Sequence, residues 1–403
     1  MGRRHLSNNL TFQWNSSVVD IPDNEWCQIY GDKVIKSKEL FLAMEESQFE
    51  GVCFMYLTIK KNGTTVAVVP CYTYHIDIAN IATGKFLRRV IPYIRLVCKD
   101  FLRIQAFVIG TYIACCEHLL EWDARLQQDE LEAIKGIVNS EIKTKYATTK
   151  SKFIFVKDIR ESAIKSTRSF LNDFRFFVSF PTTVIPILDK FKYPTALNKK
   201  NRKRYRSFTS KFNEHFEWEV IDNFQDISSD IFRLYSNVLK KASNKFEFLN
   251  RGFFENVNHF LKGKSQILIA KDKQTGEIRV VELLLRDNNR LYPLYLGVEY
   301  KKDDATKTLY LNTIFKTIEI AEGAGKKIIE LGQTSYYPKV MSGAFVENIY
   351  YGFWSDKTLY KCFIKYIFGK ICTPPQIPSH VYSDIAQSHA YRLLKEHNID
   401  PLN

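Results

Sequence analysis

The sequence predicts an α/β protein of the α+β kind: two domains in tandem, each a mixed, mostly antiparallel sheet flanked by helices. Three observations predict it. The chain has 403 residues, too many for one ordinary core and suited to two domains of about 200 each. Its apolar fraction of 45% and aromatic share of 14% suit a packed globular protein and exclude a disordered or fibrous one. Each half carries β-branched and aromatic runs punctuated by turn signals, then a helical period, then further strands.

In the first half, VCFMYLTIKKNGTTVAVVPCYTYHI reads as two strands around Asn62-Gly63, a dipeptide suited to the tight turn of an antiparallel hairpin. The apolar run from Ala106 to Cys116 is about half as long as a membrane-spanning helix and is bracketed by Arg103 and Glu117, so it is expected to be a buried strand. Beyond it Leu131, Ile134, Ile137, Val138 and Ile142 recur at helical spacing. KFIFVKDI follows as a strand, SAIKSTRSFLNDF as a short helix and FRFFVSFPTTVIPI as one extended segment. A boundary near Asp189 gives domains 1–188 and 189–372, with 373–403 as a C-terminal tail.

The second half repeats the order without repeating the sequence. KYPTALNKKNRKRYRSFTSKF starts a helix at Pro194-Thr195, with Leu197, Tyr205, Phe208 and Phe212 on its apolar face. SQILIAKDKQTGEIRVVELLLRDNNRLYPLYLGVEY reads as three strands joined by turns at Thr275-Gly276 and Asn288-Asn289. ATKTLYLNTIFKTIEIAEGAG is a helix stopped by Gly323 and Gly325, and KKIIEL and NIYYGFW are strands.

Lys and Arg outnumber Asp and Glu by 58 to 44, and the resulting field favours RNA, phosphorylated cofactors, acidic carrier proteins or anionic lipid as partners. The run from Lys190 to Lys211 concentrates that charge, with nine Lys and Arg and no acid. Lys200, Arg202 and Arg204 within it are candidates for gripping an RNA backbone or the acidic face of a carrier protein. The eight cysteines lack CxxC spacing and nearby His pairs, which argues against a metal site and a disulfide framework. No His falls into a Ser/His/Asp or Cys/His arrangement, and His75, His118 and His259 read as structural. The N-terminus is basic without the apolar core of a secretory signal, and no run is long enough to span a bilayer, so a cytoplasmic location is expected.

The segment GQTSYYPKVMSGA resembles the "G-x-T-x-x-x-x-K-x-x-x-G-A" stretch of GNAT-like proteins related to the Fem aminoacyl transferases, matching at Gly332, Thr334, Lys339, Gly343 and Ala344. LNKKNRKRYRS resembles the basic helix of the same family, and FLNRGFFENVNHF its short phenylalanine-rich helix; the resemblance spans roughly Lys190 to Trp354. It implies two tandem GNAT-like domains and an N-acyltransferase. The chemistry gives this loop its own reason. Acyl transfer to an amine builds a tetrahedral oxyanion that needs a fixed donor or cation, and the ammonium must first lose a proton. Lys339 with Gln333 and Thr334 is the candidate polarising set, Glu330 a candidate base, and Tyr336 and Tyr337 candidate substrate contacts.

In the family the loop after the fourth strand holds the donor's pyrophosphate. Here that loop offers Lys301, Lys302, Thr306, Lys307 and Thr308, without the glycine-rich signature of simple acetyl-CoA enzymes. The resemblance therefore implies no tightly bound cofactor and an acyl-CoA or acyl carrier protein thioester as co-substrate, with an amine as acceptor. One alternative is a Fem-like transferase that takes aminoacyl-tRNA and acts on a peptide or cell-wall precursor. The other is a GNAT-derived binding module without catalysis.

Overall fold

The computed structural model of the chain describes residues 9–77, 90–91, 93–96, 101, 103–114, 116–242, 247–301, 306–363 and 381–402, the side chains of residues 306, 307 and 363 excepted. It divides into two units, one from Met1–Ser179, Ser243–Leu249 and Ile349–Thr373, the other from Phe180–Ala242, Asn250–Asn348 and Pro374–Asn403.

The first unit contains β1 (Leu10–Asn15), β2 (Cys53–Lys61), β3 (Thr64–Asp77), β4 (Arg103–Ile109), β5 (Glu121–Trp122), β6 (Phe153–Arg160) and β7 (Arg175–Val178). The hairpin of β2 and β3 closes at Asn62 and Gly63, with φ of 51° and 87°, the left-handed pair that a tight hairpin turn requires. β4 and β6 run parallel from Ala106↔Phe153 to Ile109↔Val156. A parallel pair needs a crossover, and α1 (Gln128–Ala147) supplies it. Its Ile134, Ile137, Val138 and Ile142 pack with Phe107, Ile109, Ile154 and Val156 in one apolar cluster. After β6, α2 (Glu161–Phe170) buries Ala163, Ile164 and Phe170 in the same cluster. The expected strand from Ala106 to Cys116 is only half present. β4 stops at Ile109, where Gly110 turns to φ 135°, and Thr111–Ala114 runs on outside any strand.

The second unit contains β8 (Thr182–Pro186), β9 (Phe216–Ile221), β10 (Ser265–Asp272), β11 (Ile278–Arg286), β12 (Arg290–Val298), β13 (Ile328–Glu330) and β14 (Phe345–Glu347). The meander of β10, β11 and β12 is the one read from the sequence, and β9 extends it antiparallel along β10. Among its helices are α3 (Lys199–His215), α4 (Arg251–Phe260), α5 (Thr306–Gly323), α6 (Tyr336–Met341) and α7 (Asp384–Glu396). Pro194 opens a single turn only. Leu197 is extended, and Asn198 caps α3 by accepting the Asn201 N–H at 3.0 Å.

Two strands depart from the expected division at 188/189. The sheet of the first unit has the order β1-β2-β3-β4-β6-β15-β7, where β15 is Ile349–Trp354 from the far end of the chain. The sheet of the second has the order β14-β8-β13-β12-β11-β10-β9, with β8 between β13 and β14. FRFFVSFPTTVIPI is therefore two strands rather than one: it breaks at Ser179–Pro181, and Pro181 has no N–H for a ladder. The residues expected as a tail also belong to the second unit. Ala386, Ala390, Leu393 and Leu394 of α7, with Val381, Tyr382 and Ile399, lie in its main apolar cluster with Ile314, Ile318 and Ile329.

Candidate active site

Beyond β13 the chain turns through Gly332, Thr334 and Ser335 at φ of 70°, 63° and 50°. Left-handed backbone costs a non-glycine residue about 1–2 kcal/mol, so two such residues in succession need a restraint. Lys339 supplies one. It is 3% exposed, and its Nζ donates to the carbonyls of Leu331 at 2.7 Å, Gly332 at 3.1 Å and Gln333 at 2.9 Å. An ammonium has three hydrogens, and the three carbonyls take one each. The loop is also pinned from outside: Gln333 Nε2 donates to the Phe180 carbonyl at 2.7 Å and the Tyr336 hydroxyl to that of Pro181 at 2.8 Å. With its carbonyls turned to Lys339, the loop leaves the N–H groups of Thr334 and Ser335 without a protein acceptor among the described residues.

The expected polarising set is thus one built object, in which the lysine organises the loop. A cation so fully engaged acts on a ligand through the groups it orients. Gly343 belongs to the same construction. Its φ is +90°, and a Cβ there would meet the Tyr382 ring and hydroxyl at 2.6 Å, so only glycine lets the chain leave α6 past Tyr382.

A second charged group of this unit escaped the sequence reading. Glu282 of β11 is 4% exposed and accepts a hydrogen bond from Thr317 Oγ1 of α5 at 2.7 Å. Burial pushes its carboxyl up to about 7, against the lowering effects of the Thr317 hydroxyl and the Lys339 charge. The available signal was an acid inside the otherwise apolar run from Val280 to Leu285, where a strand covered by a helix has no solvent for it.

Close to these groups two parallel strands part. β12 and β13 pair only at Arg290↔Ile328 and Leu291↔Ile329, although β12 continues to Val298. The register with β11 passes from Leu284↔Pro293 to Leu283↔Tyr295, leaving Leu294 as a bulged residue. Among the described residues no strand pairs with that edge of β12 beyond Leu291, and Leu294, Tyr295 and Leu296 are half-buried.

The other expected residues fall as follows. Glu330 is 3% exposed and ion-paired with Arg290. As a free base it is corrected: its partner is a buried arginine, while Lys326 donates to the Asp287 carbonyl and Lys327 pairs with Asp189. Tyr337 is 70% exposed. Arg202 donates to the carbonyls of Pro194, Thr195 and Leu197, closing the break before α3. Arg204 reaches Met341 Sδ at 3.6 Å, and Lys200 is exposed. Lys301 pairs with Glu277. Lys302 and the side chains of Thr306 and Lys307 lie outside the described residues, and Thr308 sits in the first turn of α5, its carbonyl accepting from Asn312 at 3.0 Å. Among the described residues no cluster of His, Cys, Asp and Glu suits a metal ion, and no helix is long and apolar enough to cross a membrane.

No family model matches the chain, and no curated protein matches it. Solved structures do. A structure of FemX superposes with a TM-score of 0.54 at 10% identity, over 90% of this chain and 99% of the other. L-PGS from Bacillus licheniformis gives 0.50 at 10% identity, over 83% of this chain and 91% of the other. With two meander-and-crossover sheets and superposition along nearly its full length, the chain has the Fem-like tandem GNAT fold.

Proposed function

We propose that the second unit transfers an acyl group from a thioester, on coenzyme A or an acyl carrier protein, to an amine. The observation that carries this reading is the loop after β13, where Lys339 draws three carbonyls inward and leaves the N–H groups of Thr334 and Ser335 for a ligand. Two adjacent N–H donors, prepaid in a strained backbone, suit the oxyanion that forms when an amine attacks a carbonyl. The nitrogen–carbon bond forms first, placing the charge on the oxygen, and the carbon–sulfur bond breaks as that oxyanion collapses. The amine's proton goes to a base, and the thiolate takes up a proton on leaving. Glu282, with its carboxyl near 7, has the proton affinity such a base needs at neutral pH. The edge of β12 beyond Leu291, which no strand among the described residues flanks, suits the extended, amide-bearing arm of the donor, which can add to a strand edge by backbone hydrogen bonds. Thr306 to Thr308, at the start of α5, are the proposed contacts to donor phosphate.

A second reading has its own observation. Lys199, Lys203 and Arg206 of α3 are all exposed and recur at spacings of four and three, one stripe without an acidic partner among the described residues. Such a stripe suits the backbone of an aminoacyl-tRNA donor, in which an ester takes the place of the thioester. Incubation of the protein and a panel of amines with radiolabelled acyl-CoA, acyl carrier protein and aminoacyl-tRNA separates the readings. Amine-dependent release of free carrier from one donor identifies it, and retention of every donor without release overturns transfer in favour of a binding module.

A further inference from the structure

The first unit contains a cavity of about 700 Å³ that the acyl-transfer reading does not use. Its volume lies in the range of small-molecule sites, about 300–1,000 Å³. The sheet explains its polarity. His75 stands directly opposite Gln105 and Asp77 directly opposite Arg103 across β3 and β4, so each pair shares a face. On the other side of β4, the Lys152 N–H donates to the Gln105 carbonyl at 2.9 Å, which continues the row onto the chain entering β6. Lys150 lies two residues earlier, and both lysines line the cavity.

The charges do not cancel. Asp77 is already held by Arg95, whose two terminal nitrogens reach its two oxygens at 2.9 and 2.7 Å. Arg103 stands 3.8 Å from the same carboxylate and is half-exposed. Lys150 and Lys152 have no acidic partner among the described residues, and Glu50 is the one lining acid besides Asp77. Cations gathered in a concave site repel one another, and an anion relieves that repulsion. The remaining wall is aromatic. Tyr74 and Tyr112 meet edge to face with centroids 5.4 Å apart. The Tyr112 hydroxyl is locked to the backbone of Phe248, accepting from its N–H at 3.1 Å and donating to its carbonyl at 3.2 Å. Phe248 itself is 40% exposed where it lines the cavity.

We propose that this cavity is a ligand site in its own right, taking a phosphate monoester with an aromatic body. The phosphate dianion lies against Lys150, Lys152 and Arg103, and the ring against Tyr74, Tyr112 and Phe248. The inference stands independently of the chemistry assigned to the second unit.

Calorimetric titration of the full chain with phenyl phosphate, inorganic phosphate and phenol tests it. Phenyl phosphate is expected to saturate one site and to bind at least about tenfold more tightly than phosphate or phenol, because charge and ring contacts add on one molecule. In Lys150→Gln/Lys152→Gln its binding is expected to weaken at least about tenfold, since a single charge-assisted hydrogen bond to phosphate is of that order. Lys150 is exposed and Lys152 half-buried, and an unchanged circular dichroism spectrum verifies the fold of the variant. Lys199→Gln/Lys203→Gln in the second unit is expected to bind as the wild type does. Absence of saturable binding, equal binding by the cavity variant, or a loss confined to the second-unit variant would each overturn the proposal.

Discussion

Lys339 and Glu282 carry opposite lessons about buried charge. The lysine is satisfied by three carbonyls, so Lys339→Met removes the donor they share and releases the left-handed turn, although the Gly332 carbonyl keeps the Thr183 N–H and hydroxyl as donors. Unsatisfied buried polar groups cost about 1–3 kcal/mol each. We expect a loss of roughly 2–4 kcal/mol in denaturant unfolding and at least a hundredfold loss of acyl transfer once a donor is identified. Full turnover in Lys339→Met would remove the loop from the mechanism. The carboxyl of Glu282 is instead pushed up from 4.5 to about 7, so the folded state binds its proton more tightly than the unfolded chain does. Its cost is absent below the unfolded value, grows as pH rises through the folded one, and levels off above it at roughly 3 kcal/mol. Glu282→Gln keeps an acceptor for Thr317 and cannot ionise. It is expected to match the wild type in melting temperature near pH 4 and to exceed it near pH 9, and a difference independent of pH would refute the shift. In the transfer reaction the same variant is expected to lose the limb of the pH–rate profile near neutrality.

Single elements show how one residue fixes the path of a chain. Gly343 brings the exit of α6 against the Tyr382 ring, which lies on the segment leading into α7. Gly343→Ala meets both a left-handed φ and a Cβ contact at 2.6 Å, and is expected to cost roughly 2–4 kcal/mol. Combining it with Tyr382→Ala removes the collision but not the backbone strain, so the two changes should be less than additive in a double-mutant cycle. Strict additivity would mean that the two sites do not meet. On α3 the exposed stripe makes a different prediction. If donor RNA lies along it, Lys199→Gln/Lys203→Gln/Arg206→Gln should flatten the dependence of log affinity on log salt by about 2–3 units. An unaltered slope would exclude the helix from RNA contact. Of these elements, the periodicity of α1 and the hairpin at Asn62-Gly63 were legible because burial acts on one face at a fixed period. β9 was legible in principle, since FEWEVI alternates, but it lies against the end of a basic helix pattern that hides it.

The whole molecule is two sheets that neither half of the sequence completes. β15 lies between β6 and β7, and β8 between β13 and β14, so each sheet has an inner strand from the other half of the chain. A cut at 188/189 therefore leaves β6 and β7 without the strand that pairs with both. The fragment 1–188 is expected to be unfolded or aggregated by circular dichroism and size-exclusion chromatography, and co-expression with 189–403 to restore a soluble complex. A fragment 1–188 with a cooperative melt would show that β15 is dispensable. Gly352 of β15 probes the same point in the intact chain: a Cβ there would meet the Phe176 ring of β7 at 2.8 Å.

The sequence by itself determined the fold class, the meander, the crossover helices and the segment that holds the loop, because hydrophobic period, turn residues and glycines are local properties. It also supplied the names in that loop: Gln333, Thr334 and Lys339. Tertiary structure alone decided what they do. Lys339 becomes a clamp on three carbonyls only where the fold buries it, Glu330 is taken by an arginine forty positions away, and Glu282 acquires its proton affinity only beneath Thr317 of α5. The exchange of β8 and β15 was likewise invisible, since strand pairing depends on which edges meet in space, and an apolar strand reads the same in either sheet.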